Sequence, residues 1–162
     1  MPIPDFRVQR GDVARLSEDA YFWALVEPTW PEDGGTARLR LQMATIGQRI
    51  LYSTILLSRE VSNGGLFHTF WNQEVWIWAL AQNSFHRLGA MEQSRALLVA
   101  RDLLDKRRAL GPLDARRAYL DGLPKKIRHR LADLDKAFYN EERFYPLYHS
   151  YITAHPGEFF RT

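Results

Sequence analysis

Apolar positions recur along this chain at helical spacing. Leu39, Met43, Ile46, Ile50 and Leu57 fall on a three-to-four-residue repeat, with Ser53 or Thr54 in the missing step. That stripe predicts one amphipathic helix of about six turns ending near Glu60. Asn63-Gly64-Gly65 stops it, because Asn and Gly accept a left-handed helix terminus at little cost. A short aromatic helix is expected over 66–72, another over 74–88, and after Gly89 a third from 91 to about 108, ended by Gly111-Pro112. Upstream, Ser17 suits an N-cap, with Glu18 and Asp19 in the first turn, and that helix ends before Pro28. Residues 29–35 read as a loop, and 113–122 as a short helix or a loop. Ile127, Leu131, Leu134 and Phe138 mark a further helix face. Leu147, Tyr148, Tyr151 and Ile152 mark the last, with Pro146 in its first turn and Pro156-Gly157 beyond it. No segment alternates with period two between turn residues, so no sheet is expected. The expected fold is all-α: an irregular arm over 1–14, then a single-domain multi-helix bundle of about six to eight helices over 15–162.

Composition narrows what such a bundle does. At 162 residues and 46% hydrophobic content the chain is long enough to bury a core. It has no Cys, which removes disulfides, thiolate nucleophiles and Cys-based metal sites. No apolar run approaches the roughly 20 residues of a membrane span, and the start lacks a basic-then-apolar leader, so a cytoplasmic protein is expected. The net charge of +3 is uneven. Residues 101–130 hold ten Lys or Arg (Arg101, Lys106, Arg107, Arg108, Arg116, Arg117, Lys125, Lys126, Arg128, Arg130) against four acids, a local +6. Such a segment suits an anionic partner, including a nucleic acid, or forms solvated helix faces.

Chemistry-bearing patterns are sparse. His68 and His86 are eighteen apart, His149 and His155 six apart, and neither spacing is the three or four that seats a metal on one helix face. No metal and no cofactor is expected. His68, among Phe67, Phe70 and Trp71, reads as a partly buried histidine, and an enzyme with a pocket near it is the weakest functional reading. No Gly-x-Ser-x-Gly elbow is present, and no catalytic residue is assigned. Asn63-Gly64-Gly65 lacks the lysine and hydroxyl of a phosphate loop and reads as a helix–helix corner, with Glu60 placed to bond amides at the start of the next helix. Trp76 and Trp78 lie about 200° apart on a helix, so one face cannot bury both. Either that helix is covered on two sides, or a Trp is left for a protein interface.

Two blocks carry a resemblance. Glu60, Val61, Asn63, Gly64 and Gly65, followed by Phe67, Phe70 and Asn72, are similar to the Glu-Val-x-Asn-Gly-Gly-Phe signature of a bacterial helical family of DNA-mimic proteins, with Leu66 where the family has its first Phe. The segment 134–139 with Tyr148, Tyr151, Ile152 and 155–159 resembles the family's C-terminal part, so the likeness covers roughly 15–160. It implies a non-catalytic regulator or inhibitor that binds a protein partner, through carboxylates spaced like phosphates. This chain departs from the strongly acidic pattern in being net basic. The acids available for a local negative patch are Glu18, Asp19, Glu27, Glu32 and Asp33.

Overall fold

Several turns in this chain come where glycine or proline interrupts the helical ladder, as at Gly89 and Pro112. The computed structural model describes residues 4–30, 37–104, 106–109 and 111–161. Their α-helices are α1 Arg10–Val13, α2 Glu18–Val26, α3 Ala37–Met43, α4 Ile46–Asn72, α5 Val75–Arg87, α6 Met91–Leu103, α7 Lys106–Ala109, α8 Leu113–Asp121, α9 Lys125–Asp135 and α10 Tyr145–Ala154. Short 3₁₀ turns cover Glu27–Thr29, Glu141–Phe144 and Pro156–Glu158. The all-helical class is as expected, but the helix count exceeds six to eight. Two of the segments, α1 and α7, are single turns of four residues, too short to show a stripe. Among the described residues no strand occurs, only one parallel bridge between Val8 and Phe160.

The chain divides into two compact units, Met1–Tyr52 with Arg143–Thr162, and Ser53–Glu142. In the first, Phe22 is buried with its ring 5.1 Å from Tyr145 and 5.2 Å from Tyr148, and Trp30 lies between Trp23 and Tyr52. Buried Gln48 donates from Nε2 to the Phe6 carbonyl at 2.8 Å, which meets its hydrogen-bonding demand inside the core.

The long stripe corrects the sequence reading here. It folds as two helices, and Leu39, Met43 and Ile46 are exposed at 61%, 42% and 46%. The cause is Thr45. Its Oγ1 accepts from the Gln48 amide at 3.2 Å, while Gln48 Oε1 accepts from the Thr45 amide at 3.3 Å. This reciprocal capping box starts α4 afresh and breaks the register with α3. Ile46 at the start of α4 is still exposed, and Ile50 and Leu57 further along it are buried as the stripe requires.

In the second unit, α5 and α6 form a helical hairpin around Gly89, whose φ of 79° suits a residue without Cβ. Helix α6 also packs on α9. Trp78, Phe85, Leu97, Leu131 and Phe138 fill the interior, and buried Gln93 donates to the Ala137 carbonyl at 2.5 Å.

Candidate functional site

Helix α4 is continuous in its ladder except at Gly65, whose φ of 76° and ψ of 173° fold the chain sharply. Asn63 and Gly64 stay helical, so the expected stop is a kink at one residue. The turn that begins at Leu66 has an orphan amide, and the side chain that meets it comes from the last residue of α9: Leu66 N–H donates to Asp135 Oδ1 at 2.7 Å. Thr69 Oγ1 donates back to the Gly65 carbonyl at 2.9 Å. Glu60, expected in the capping role, is half-buried, and Asp135 fills that role instead. Burial pushes the Asp135 carboxyl above its ordinary range, and the Leu66 amide opposes this. A Cβ on Gly65 would lie 2.5 Å from Asp135 Oδ2, so glycine is required by contact as well as by φ. The partners stand 69 positions apart, and nothing local to either marked the pair.

Around this corner three aromatic rings, of which Phe67 belongs to the motif, serve as platforms for arginines. Arg116 is buried, with its guanidinium carbon 5.3 Å from the Trp78 ring and Nη2 donating to the Gln73 carbonyl at 2.9 Å. Arg117 lies 5.8 Å from the Trp71 ring and donates to the Trp71 carbonyl at 3.3 Å. Arg128 lies 4.7 Å from the Phe67 ring and donates to the carbonyls of Leu120, Asp121 and Leu123. All three stand where helix C-termini leave unpaired carbonyls and a negative dipole end. Loss of hydration lowers the Arg116 pKa, Glu74 opposes this and Arg117 adds to it. Arg116 Nε and Trp78 Nε1 are buried without a hydrogen-bond partner among the described residues.

The basic segment is therefore not one patch. Arg116 is removed from the surface, and Arg117 and Arg128 are half-buried caps. Arg101 is half-buried, and Arg108 is exposed, 5.8 Å from the Tyr119 ring. Lys125, Lys126 and Arg130 are exposed on α9. The side chains of Lys106 and Arg107 lie outside the described ones.

The remaining sites sort by burial. Trp78 is 2% exposed, edge-on to Phe70 at 4.1 Å, so it is core and not an interface residue; Trp76 is half-buried. Val61 and Phe70 are buried, Phe67 is half-buried, and Asn63, Gly64 and Asn72 are exposed. His68 is exposed instead of partly buried, and its ring crowds Gly64, where a Cβ would come within 2.7 Å. Glu18, Asp19 and Glu27 are exposed, and Glu18 Oε1 lies 3.1 Å from His149 Nε2. Glu32 and Asp33 lie outside the described residues. A groove of about 750 Å³ is bounded by Gln82, Met91, Leu98, Leu134 and Ala137. Among the described residues no group of three His, Asp or Glu is arranged to hold a metal ion, and no helix is long and apolar enough to cross a membrane.

The corner couples the two sequence blocks, since the Leu66 amide lies in one and Asp135 in the other. A family model described as DMP19-like protein matches residues 43–155, a span containing both. The chain belongs to the DMP19-like protein family. The match starts at the end of α3 and stops at the residue after α10, narrower than the 15–160 of the resemblance. It leaves Glu18, Asp19, Glu27, Glu32 and Asp33 outside the DMP19-like region. No curated protein and no solved structure matches the chain.

Proposed function

We propose that this DMP19-like chain is a non-catalytic interaction protein that binds a DNA-binding protein and acts as its regulator or inhibitor. The observation that supports it is the family match over 43–155, a span that contains the Glu60 to Asn72 motif. Within it Gly65 supplies the kink, Val61, Leu66 and Phe70 are buried and Phe67 carries Arg128, so the proposed partner surface is placed on other residues.

Net charge differs between the two units. The unit containing α9 holds 14 basic and 11 acidic residues, a net of +3, whereas the unit containing α2 holds eight of each. A field strong enough for whole-molecule mimicry of DNA needs a large net negative charge, which this chain lacks. The mimicry proposed here is local, with Glu18, Asp19 and Glu27 meeting basic side chains of the partner. All three are exposed, and Glu18 and Asp19 open α2 at its positive end.

The test is affinity capture from the native cells with the tagged chain, followed by mass spectrometry and titration of the purified partner. A DNA-binding protein released by competitor DNA, with affinity reduced at least tenfold by E18K/D19K/E27K, is the expected result. Capture of no partner, or a partner whose binding neither DNA nor the triple variant perturbs, would overturn the reading.

A further inference from the structure

We propose that the outer face of α9 binds the phosphodiester backbone of a nucleic acid. Lys125, Lys126, His129 and Arg130 are all exposed on this one face. Lys125 with His129, and Lys126 with Arg130, are four residues apart and therefore neighbours on the helix surface. The lysines occupy the first turn, which holds no acid and no capping side chain, although a helix N-terminus favours negative charge. Stability alone argues against this placement, and packing does not explain it, because none of these side chains is buried. A local choice that opposes the fold's own preference marks a surface shaped by something outside the chain.

The contrast within the basic segment supports this. Arg116, Arg117 and Arg128 have internal work as carbonyl caps, whereas Lys125, Lys126 and Arg130 pair with no acid among the described residues. The acid on the face, Asp133, lies 3.4 Å from Lys136, and Asp121 stands exposed at the edge where α8 ends. Beside the face a hollow of about 590 Å³ is lined by Leu123, Lys125, Arg128 and His129. There the Arg128 guanidinium, held by three carbonyls and the Phe67 ring, adds fixed positive charge beside the three cations that make the phosphate contacts.

Nucleic acid fits better than an acidic protein because the face has no anchor. Its non-polar exposed residue is Ala132, whereas protein interfaces centre on buried aromatic or large aliphatic side chains. Backbone binding needs only cations at intervals, and one helical turn separates the paired positions by about 6 Å.

Fluorescence anisotropy with labelled 20-mer duplex DNA, single-stranded DNA and RNA, from 20 to 200 mM NaCl, tests the proposal. Three phosphate contacts predict an affinity loss of about 500-fold for duplex and about 100-fold for a single strand over that range. K125E/K126E/R130E, with K125Q/K126Q/R130Q should the first fail to fold, is expected to remove binding at 20 mM NaCl. R15E/R38E, which reverses two exposed arginines elsewhere, is expected to retain at least a third of the affinity. The proposal is overturned by absence of binding at 20 mM NaCl, by equal losses in the R15E/R38E control, or by polyglutamate or inorganic phosphate displacing the oligonucleotide at matched charge.

Discussion

Gly65 and Asp135 form a pair in which each residue limits what the other position tolerates. At φ 76° and ψ 173°, a region open essentially to glycine alone, an L side chain costs about 1–3 kcal/mol, and the Asp135 carboxylate already occupies the space of a Cβ. Gly65→Ala is therefore expected to cost about 2 kcal/mol or more, read as a lowered urea midpoint. For Asp135 the expectation turns on charge. Its folded-state pKa is raised, so the folded state holds the proton more tightly than the unfolded state. Stability from this group is then greatest below the ordinary carboxylate range and declines as pH rises through that range. Asp135→Asn keeps an oxygen for the Leu66 amide and removes the buried charge. At pH 7 the variant should match or exceed the native midpoint, with the difference closing near pH 3. Asp135→Ala leaves the Leu66 N–H unpaired and should cost about 1–3 kcal/mol. A uniform loss in both variants at pH 7 would show that the carboxylate itself is needed. The glycine was legible in the sequence because Asn-Gly-Gly ends helices. The aspartate was not, because a cap contributed from 69 residues away leaves no local pattern.

At the scale of elements, spacing identified most helix faces, and local capping decided where one of them broke. The stripe from Leu39 to Leu57 keeps its period across Thr45, so periodicity alone joined α3 to α4. The signal that separates them, Thr45 followed three residues later by Gln48, was present in the sequence and is the reciprocal cap observed. Thr45→Ala removes the hydroxyl that the Gln48 amide donates to, and should cost about 1 kcal/mol in a thermal or chemical melt. The arginine caps were illegible for a different reason. Charge counting treats the ten cations of 101–130 alike, but the carbonyls that Arg116 and Arg117 reach lie 43 and 46 residues away. Two arginines of α9 test the distinction. Arg128→Ala loses packing on Phe67 and donors to three carbonyls, and should cost about 1–2 kcal/mol. Arg130→Ala, on the exposed face, should stay within about 0.5 kcal/mol. Equal costs in parallel melts would mean that the carbonyl contacts carry no stability.

For the whole molecule, sequence patterns identified an all-helical chain and its family but not the partition into two units, because the first unit joins residues from both ends. The tie between those ends centres on Asp5. Its carboxylate accepts from Arg7 Nε at 2.9 Å, and Arg161 Nη2 donates to the Asp5 carbonyl at 2.9 Å. Alongside, Val8 N–H donates to Phe159 O and Arg161 N–H to Val8 O. The Arg7 side-chain bond, then its backbone amide, hold the Asp5 carboxyl down at about 2. Its folded-state pKa is depressed, so its contribution is present above the ordinary aspartate range and disappears as pH falls through about 2. The group is exposed, so screening keeps the effect local. Carboxyl NMR should find Asp5 titrating well below the ordinary aspartate range. Asp5→Asn should accelerate hydrogen exchange at the Val8 and Arg161 amides while leaving Phe85 and Leu97, in the core of the second unit, at native rates. Gly65→Ala should do the converse, accelerating Phe85 and Leu97. If either substitution accelerated both sets equally, the chain would open as one cooperative body, and the charge balance of each unit would have no separate meaning for the partner it meets.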